Sequence, residues 1–225
     1  MFTPKFFEFF NALAKNNNRE WFNEHKSDYQ QAVAQPMCAF IDAMEPRLRK
    51  ISPHFIADSR PHGGSMFRIY RDVRFSKNKS PYKLHAACQF RHELGKDAHT
   101  VGFYVHISSE EAVFGGGVWM PPSEELQKIR NTIVGNPHAW GQIKSSRSVK
   151  KYFGGIGGDG LKRPPRGFDA EHEHIEDLKR KSFFLMRREP PAIILDDGFV
   201  REVEKTFKAA MPLMDYIGFA QDIEI

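Results

Sequence analysis

The feature that most constrains this fold is a change of hydrophobic period near residue 50. Before it, apolar side chains recur every three or four residues. Phe6, Phe9, Phe10 and Leu13 form one such set, and Phe40, Ile41, Met44 and Leu48 another. That is the spacing of one helix face. Beyond it come short runs rich in β-branched and aromatic residues, at 66–70, 83–92, 100–108 and 111–119. Turn residues separate these runs, and no helical stretch intervenes. Strands joined so directly predict an antiparallel meander.

The flanking elements follow from local signals. Thr3 and Pro4 predict a helix start, and Asn16, Asn17 and Asn18 predict its end, with Asn18 capping the next helix. Pro36 predicts a kink or a restart before the second apolar set. Helical period returns at 122–134 and 137–146, at 169–178 behind Asp169, and at 198–219, with one more strand at 182–187. The prediction is an α+β fold: an antiparallel sheet of about five or six strands with N-terminal, central and C-terminal helices packed on it. It forms one domain over residues 1–225, helical at 1–50, strand-rich at 54–119, and mixed helical with a Gly/Pro-rich loop at 120–225.

Composition excludes several classes. A chain of 225 residues with 20 Phe can bury a real core and is too aromatic to be disordered. Cys38 and Cys88 are the only cysteines, and no C-x-x-C is present. A disulfide framework and a cysteine zinc site are therefore not expected, and a reducing, cytoplasmic location fits. The first residues lack a basic n-region, and Lys5 and Glu8 interrupt their apolar run, so they do not read as a targeting segment. No run of 18 apolar residues predicts a membrane span. The net charge of +5 gives a mild preference for anionic partners.

That charge is densest between residues 66 and 83. Arg68, Arg71, Arg74, Lys77, Lys79 and Lys83 stand there against one acid, Asp72. On a strand, period two would put Phe67, Ile69 and Arg71 on one face and Arg68, Tyr70 and Asp72 on the other, so neither face is purely apolar. Arginines gathered in excess of carboxylates invite an anion. The anion site is expected at Arg68, Arg71, Arg74 and Lys79, with Asp72, Tyr82 or His85 to move a proton. The competing structural reading pairs these arginines with acids elsewhere, such as Glu20, Asp28 or Asp42.

The pattern R-x-x-R-D-x-R-F-x-x-N-K-x-x-Y is carried here by Arg68, Arg71, Asp72, Arg74, Phe75, Asn78, Lys79 and Tyr82. It resembles the signature of the bacterial domain-of-unknown-function 2461 family. NNNREWF at residues 16–22 and LKRPPRGFDAEHE at 161–173 agree with it, so the resemblance spans nearly the whole chain. It implies a cytoplasmic bacterial protein and brings no mechanism, substrate or catalytic residue with it.

Other motifs say less. Gly155, Gly157 and Gly160 have G-x-G-x-x-G spacing, but Pro164 and Pro165 follow where a dinucleotide site needs a helix. With Lys162, Arg163 and Arg166 this loop reads as a lid or a secondary basic contact. His172 and His174 lie two residues apart at a helix start, which argues against a metal pair, and no metal is expected. His85 and His106 could share a sheet face and offer a base near neutral pH. Trp21, Phe22 and Tyr29 read as core. Gly115, Gly116 and Gly117 mark a bulge or a close backbone approach, and Trp119 beside them could line a pocket mouth. No cofactor is indicated. Three functions stay open: an enzyme on a phosphorylated or acidic small molecule, a nucleic-acid-binding module, and a structural or interaction protein. The second is supported by a further basic run at Lys144, Arg147, Lys150 and Lys151.

Overall fold

The structure, a computed structural model, describes residues 1–95 and 99–225. Helix α1 (Lys5–Lys15) buries Phe6, Phe9, Phe10 and Leu13, the predicted stripe. Asn18 caps α2 (Arg19–Glu24), its Oδ1 accepting from the Trp21 N–H at 2.9 Å. A short α3 (Lys26–Tyr29) runs through a π turn (Gln30–Ala34) into α4 (Gln35–Ile51). Pro36 falls in the first turn of α4. Its ring and missing N–H would break a regular helix at this point, and the wider π turn just before it accommodates both.

Four strands form one antiparallel sheet in the order β1-β2-β3-β4: β1 (His85–Arg91), β2 (Gly102–Ser108), β3 (Ala112–Val118) and β4 (Phe183–Glu189). The expectation of five or six strands is corrected to four. Residues 66–70 make only isolated pairs, Met66 with Cys88 and Tyr70 with Tyr82. The Phe67 N–H reaches the Ala87 carbonyl at 2.9 Å, and the chain then leaves β1. Arg71 N–H bonds to Pro81 O and Lys83 N–H to Ile69 O, each at 2.8 Å. A hairpin of its own consumes the donors that a fifth strand would have offered the sheet.

The pairing register sorts the sheet into two faces. Cys88, Phe90, Phe103, Val105, Phe114, Phe183 and Leu185 point inward and are fully buried. Helix α9 (Phe199–Gln221) lies against them, with Val203, Phe207, Leu213 and Met214 buried. Phe103 and Phe207 stack at 4.3 Å, and Phe40 of α4 stacks on Phe199 at 5.4 Å. Among the described residues the remaining α-helices are α5 (Ser123–Gly135), α6 (Pro137–Ser145), α7 (Arg147–Phe153) and α8 (Ile175–Leu178), and a 3-10 turn (Pro191–Leu195) precedes α9. Helix α7 was not anticipated, and α8 is shorter than the span expected for it. Among the described residues no helix is long and apolar enough to cross a membrane. The other face of the sheet carries His85, Gln89, Tyr104, His106, Phe184 and Met186, all half-buried, and stays partly open.

Candidate functional site

On this outer face the register builds three cross-sheet rows. Ala87, His106, Val113 and Arg188 form one; Gln89, Tyr104, Gly115 and Met186 the next; Arg91, Gly102, Gly117 and Phe184 the third. Arg91 donates its Nε to the Gly95 carbonyl at 3.2 Å and does not line the cleft; apart from it, the face grades from imidazole and guanidinium at one end to bare glycine and aromatic rings at the other. A cleft of about 350 Å³ lies along this gradient, within the size range of small-molecule sites. Phe67 walls it on the β1 side. Trp119 and Phe184 close the glycine end, and Arg188 marks the other.

The glycines in β3 provide the close approach that the sequence suggested. A Cβ on Gly115 would sit 1.8 Å from the Leu185 carbonyl oxygen, and one on Gly117 2.2 Å from that of Phe183. Gly117 also has φ +151°, a conformation that favours glycine. The floor of the cleft is therefore backbone, and Trp119 stands at its mouth, 52% exposed.

At the polar end, the rings of His85 and His106 lie 4.2 Å apart, and the Tyr104 hydroxyl is 3.4 Å from His106 Nδ1. Burial pushes His85 down to about 4, helped by His106 and Lys83. Burial also lowers His106, opposed by Glu111 and assisted by Arg188. Burial raises the Tyr104 hydroxyl to about 12. At neutral pH the trio is thus uncharged: two imidazoles that can accept a proton and a phenol that keeps its own.

Lys83 stands beside this trio. Burial, and then Arg68, hold its ammonium below the usual lysine range. Its Nζ donates to the Arg68 carbonyl at 2.9 Å and lies 5.6 Å from the Phe67 ring centre. Among the described residues no carboxylate pairs with it. Arg188 approaches from the opposite sheet edge, in an exposed ion pair with Glu111 at 2.5 Å.

The predicted site residues do not gather in one place. Of them, none lines the cleft: His85 lies against His106 on the same sheet face, and Arg68 lies beside Lys83. Arg74 forks onto Asp72 (Nε–Oδ1 3.0 Å, Nη2–Oδ2 2.7 Å), and these hydrogen bonds hold the Asp72 carboxyl at about 2. Lys79 Nζ donates to the Val73 carbonyl at 3.0 Å. Arg68 and Arg71 make no ion pair among the described residues, and none of Glu20, Asp28 and Asp42, the acids named for the competing structural reading, pairs with the arginines of this stretch. Tyr82 is a packing residue. Its ring stacks on Phe22 at 4.1 Å, and the Asn17 side chain bonds both its N–H and its carbonyl. Lys162, Arg163 and Arg166 are exposed on a loop tied to β4 through Gly157 to Phe184 and to the end of α8 through Leu161 to Lys179. To cover Arg71 that loop would have to leave an edge three strands from β1.

Lys83, Tyr104, Gln89 and Arg188 were not singled out as site residues. Strand alternation could have joined Tyr104 to His106, since both fall two apart on β2. Nothing in the sequence could have joined Arg188, because only the register brings it into the row of His106.

Fold and site define a class: an antiparallel sheet backed by helices, whose open face holds a cleft lined by aromatic rings and bounded by Arg188, with a histidine pair nearby on the same face. The chain belongs to the family described as Conserved hypothetical protein (DUF2461), whose model matches residues 5–216. No curated protein and no solved structure matches it.

Proposed function

We propose that the protein binds an anionic small molecule, bearing a phosphate or a carboxylate, in the cleft on the outer face of the sheet. Lys83, which stands outside the cleft lining but against the Phe67 ring that walls it, carries this reading. A half-buried ammonium without a carboxylate partner is held at a cost that a bound anion would relieve. Arg68 and Arg188 add charge at either side, and the exposed pair of Arg188 with Glu111 is weak enough to exchange for a ligand. Arg71, Arg74 and Lys79 extend the positive surface along the hairpin and would draw an anion towards the cleft. His106, with Tyr104 and His85, supplies the groups an enzyme acting on that molecule would need to move a proton. In this assignment Asp72 serves as the partner of Arg74, and Tyr82 as the anchor of the hairpin on α2.

Thermal melting against phosphates, carboxylates and short oligonucleotides at two salt concentrations tests the proposal. A ligand at a hundred times its dissociation constant stabilises the fold by about 2.7 kcal/mol. Wild type should respond to one class of small anion, and Lys83→Met should not. A Lys83→Met protein that responds like wild type would refute the assignment.

One observation favours a second reading. Phe75 is 96% exposed at the tip of the hairpin, beside Arg74, Lys77 and Lys79. An exposed ring among cations suits base stacking on single-stranded nucleic acid. In the same assay, stabilisation by oligonucleotides alone, lost at high salt and in Phe75→Ala, would favour that reading.

A further inference from the structure

Resting on the anion-site reading above, we infer that the ligand of the cleft carries a planar aromatic ring, seated on the glycine floor several ångströms from its anionic group. The two ends of the cleft are built for different chemistry, and the register fixes how far apart they lie. His106 is four residues along β2 from Gly102, a rise of ~13 Å. Side chains reaching inward from both ends shorten that span, so ring and anion are joined by a linker rather than directly bonded.

The glycine end is shaped for a flat group. Gly102 pairs with Gly117 across β2 and β3. Neither can carry a side chain: a Cβ on Gly102 would lie 2.7 Å from the Phe90 carbonyl oxygen, and one on Gly117 2.2 Å from that of Phe183. The floor is flat peptide for this reason. Trp119 and Phe184 rise at its edge with ring centres 5.7 Å apart and planes tilted by 31°. Phe67 forms the facing wall, 6.2 Å from the Tyr104 ring. Rings at such separations favour an aromatic guest in offset or edge-to-face geometry. Trp119 is half exposed although it lines the cleft, so part of its face is free for such a guest. At the polar end Arg188 lines the cleft and would meet the anion, with His106 in the same cross-sheet row and Lys83 behind the Phe67 wall.

A ruler series tests the inference: phenyl phosphate, 4-phenylbutyl phosphate and an unbranched alkyl phosphate as long as the latter. Binding is followed by calorimetry and by Trp119 fluorescence, with Trp140 buried in the core and Trp21 replaced by Phe. The expected result is that 4-phenylbutyl phosphate binds roughly ten-fold more tightly than either other compound, the size of one stacking contact. Trp119→Ala and, separately, Phe184→Leu should abolish the preference for the aryl compound while retaining alkyl phosphate binding. Trp119 is exposed enough for its removal to leave the fold intact, and circular dichroism checks that. Equal binding of the aryl and alkyl compounds, or an aryl preference undiminished in both variants, overturns the inference while leaving the anion site standing. Binding of none of the three overturns both.

Discussion

His85 on β1 and His106 on β2 face each other with ring centres 4.2 Å apart, and both imidazoles are held neutral. Burial is the main reason for both, and the surrounding groups add to it. Lys83 and Arg188 repel a proton, Glu111 alone attracts one, and the neighbouring Tyr104 stays un-ionised. An anion entering the cleft would supply the missing negative charge and favour protonation.

The same pair makes stability depend on pH. His85 falls from an unfolded value of about 6.5 to about 4 in the fold. Between those values the unfolded chain binds the extra proton, so stability rises with pH. The contribution is complete above pH ~6.5 and is lost as pH falls towards ~4. Solvent at the open face screens it, leaving a loss of ~1–2 kcal/mol. Urea unfolding of wild type from pH 7.5 to 4.5 should show this decline, and His85→Asn should flatten it. An equal decline in the variant would place the titrating group elsewhere.

Tyr82 should matter through its ring. Tyr82→Ala removes the stack on Phe22 and should destabilise by ~3–5 kcal/mol, the usual loss for a buried aromatic. Tyr82→Phe keeps the stack and should lie within ~1 kcal/mol of wild type. If the two variants lose comparable stability by denaturant unfolding, the hydroxyl has a role that packing does not explain.

Asp177 holds the α6–α8 corner. It accepts from Trp140 Nε1 at 2.9 Å, Lys144 Nζ at 2.7 Å and Arg180 Nε at 3.0 Å. Burial alone would raise its carboxyl, but these donors outweigh burial and hold it below the usual range. Its stabilisation is therefore present above the ordinary carboxylate pKa and is lost as pH falls through the folded value. Asp177→Ala should cost ~1–3 kcal/mol, mainly by leaving the buried Trp140 N–H unpaired while Lys144 and Arg180 keep access to water. A change under 1 kcal/mol in urea unfolding would mean that water replaces the carboxylate.

The strands at 83–92, 100–108, 111–119 and 182–187 were legible from their β-branched and aromatic residues between turns, with clean alternation in stretches such as Phe103, Val105 and Ile107, though β3 is buried throughout. Residues 66–70 misled for the same reason. Phe67 and Ile69 alternate as in a strand, but hydrogen-bond destination decides strand membership, and those bonds close a local hairpin. Helix α7 escaped notice because Val149 is its one buried residue, set among basic side chains. For the proposed site, the basic motif ends just before Lys83 and His85. It could not separate Lys83 from the outer cations, since burial is a tertiary property. Nor could it show the row from His106 to Arg188, which exists only through the pairing of three strands.

The most direct test of the account is an NMR titration of the protein with 4-phenylbutyl phosphate at low salt, followed at assigned backbone and side-chain resonances. The account predicts that Lys83, Tyr104, His106 and Arg188 shift together and saturably, while Phe75 at the hairpin tip does not move. Shifts confined to residues 71–79, or the absence of any saturable shift, would contradict it.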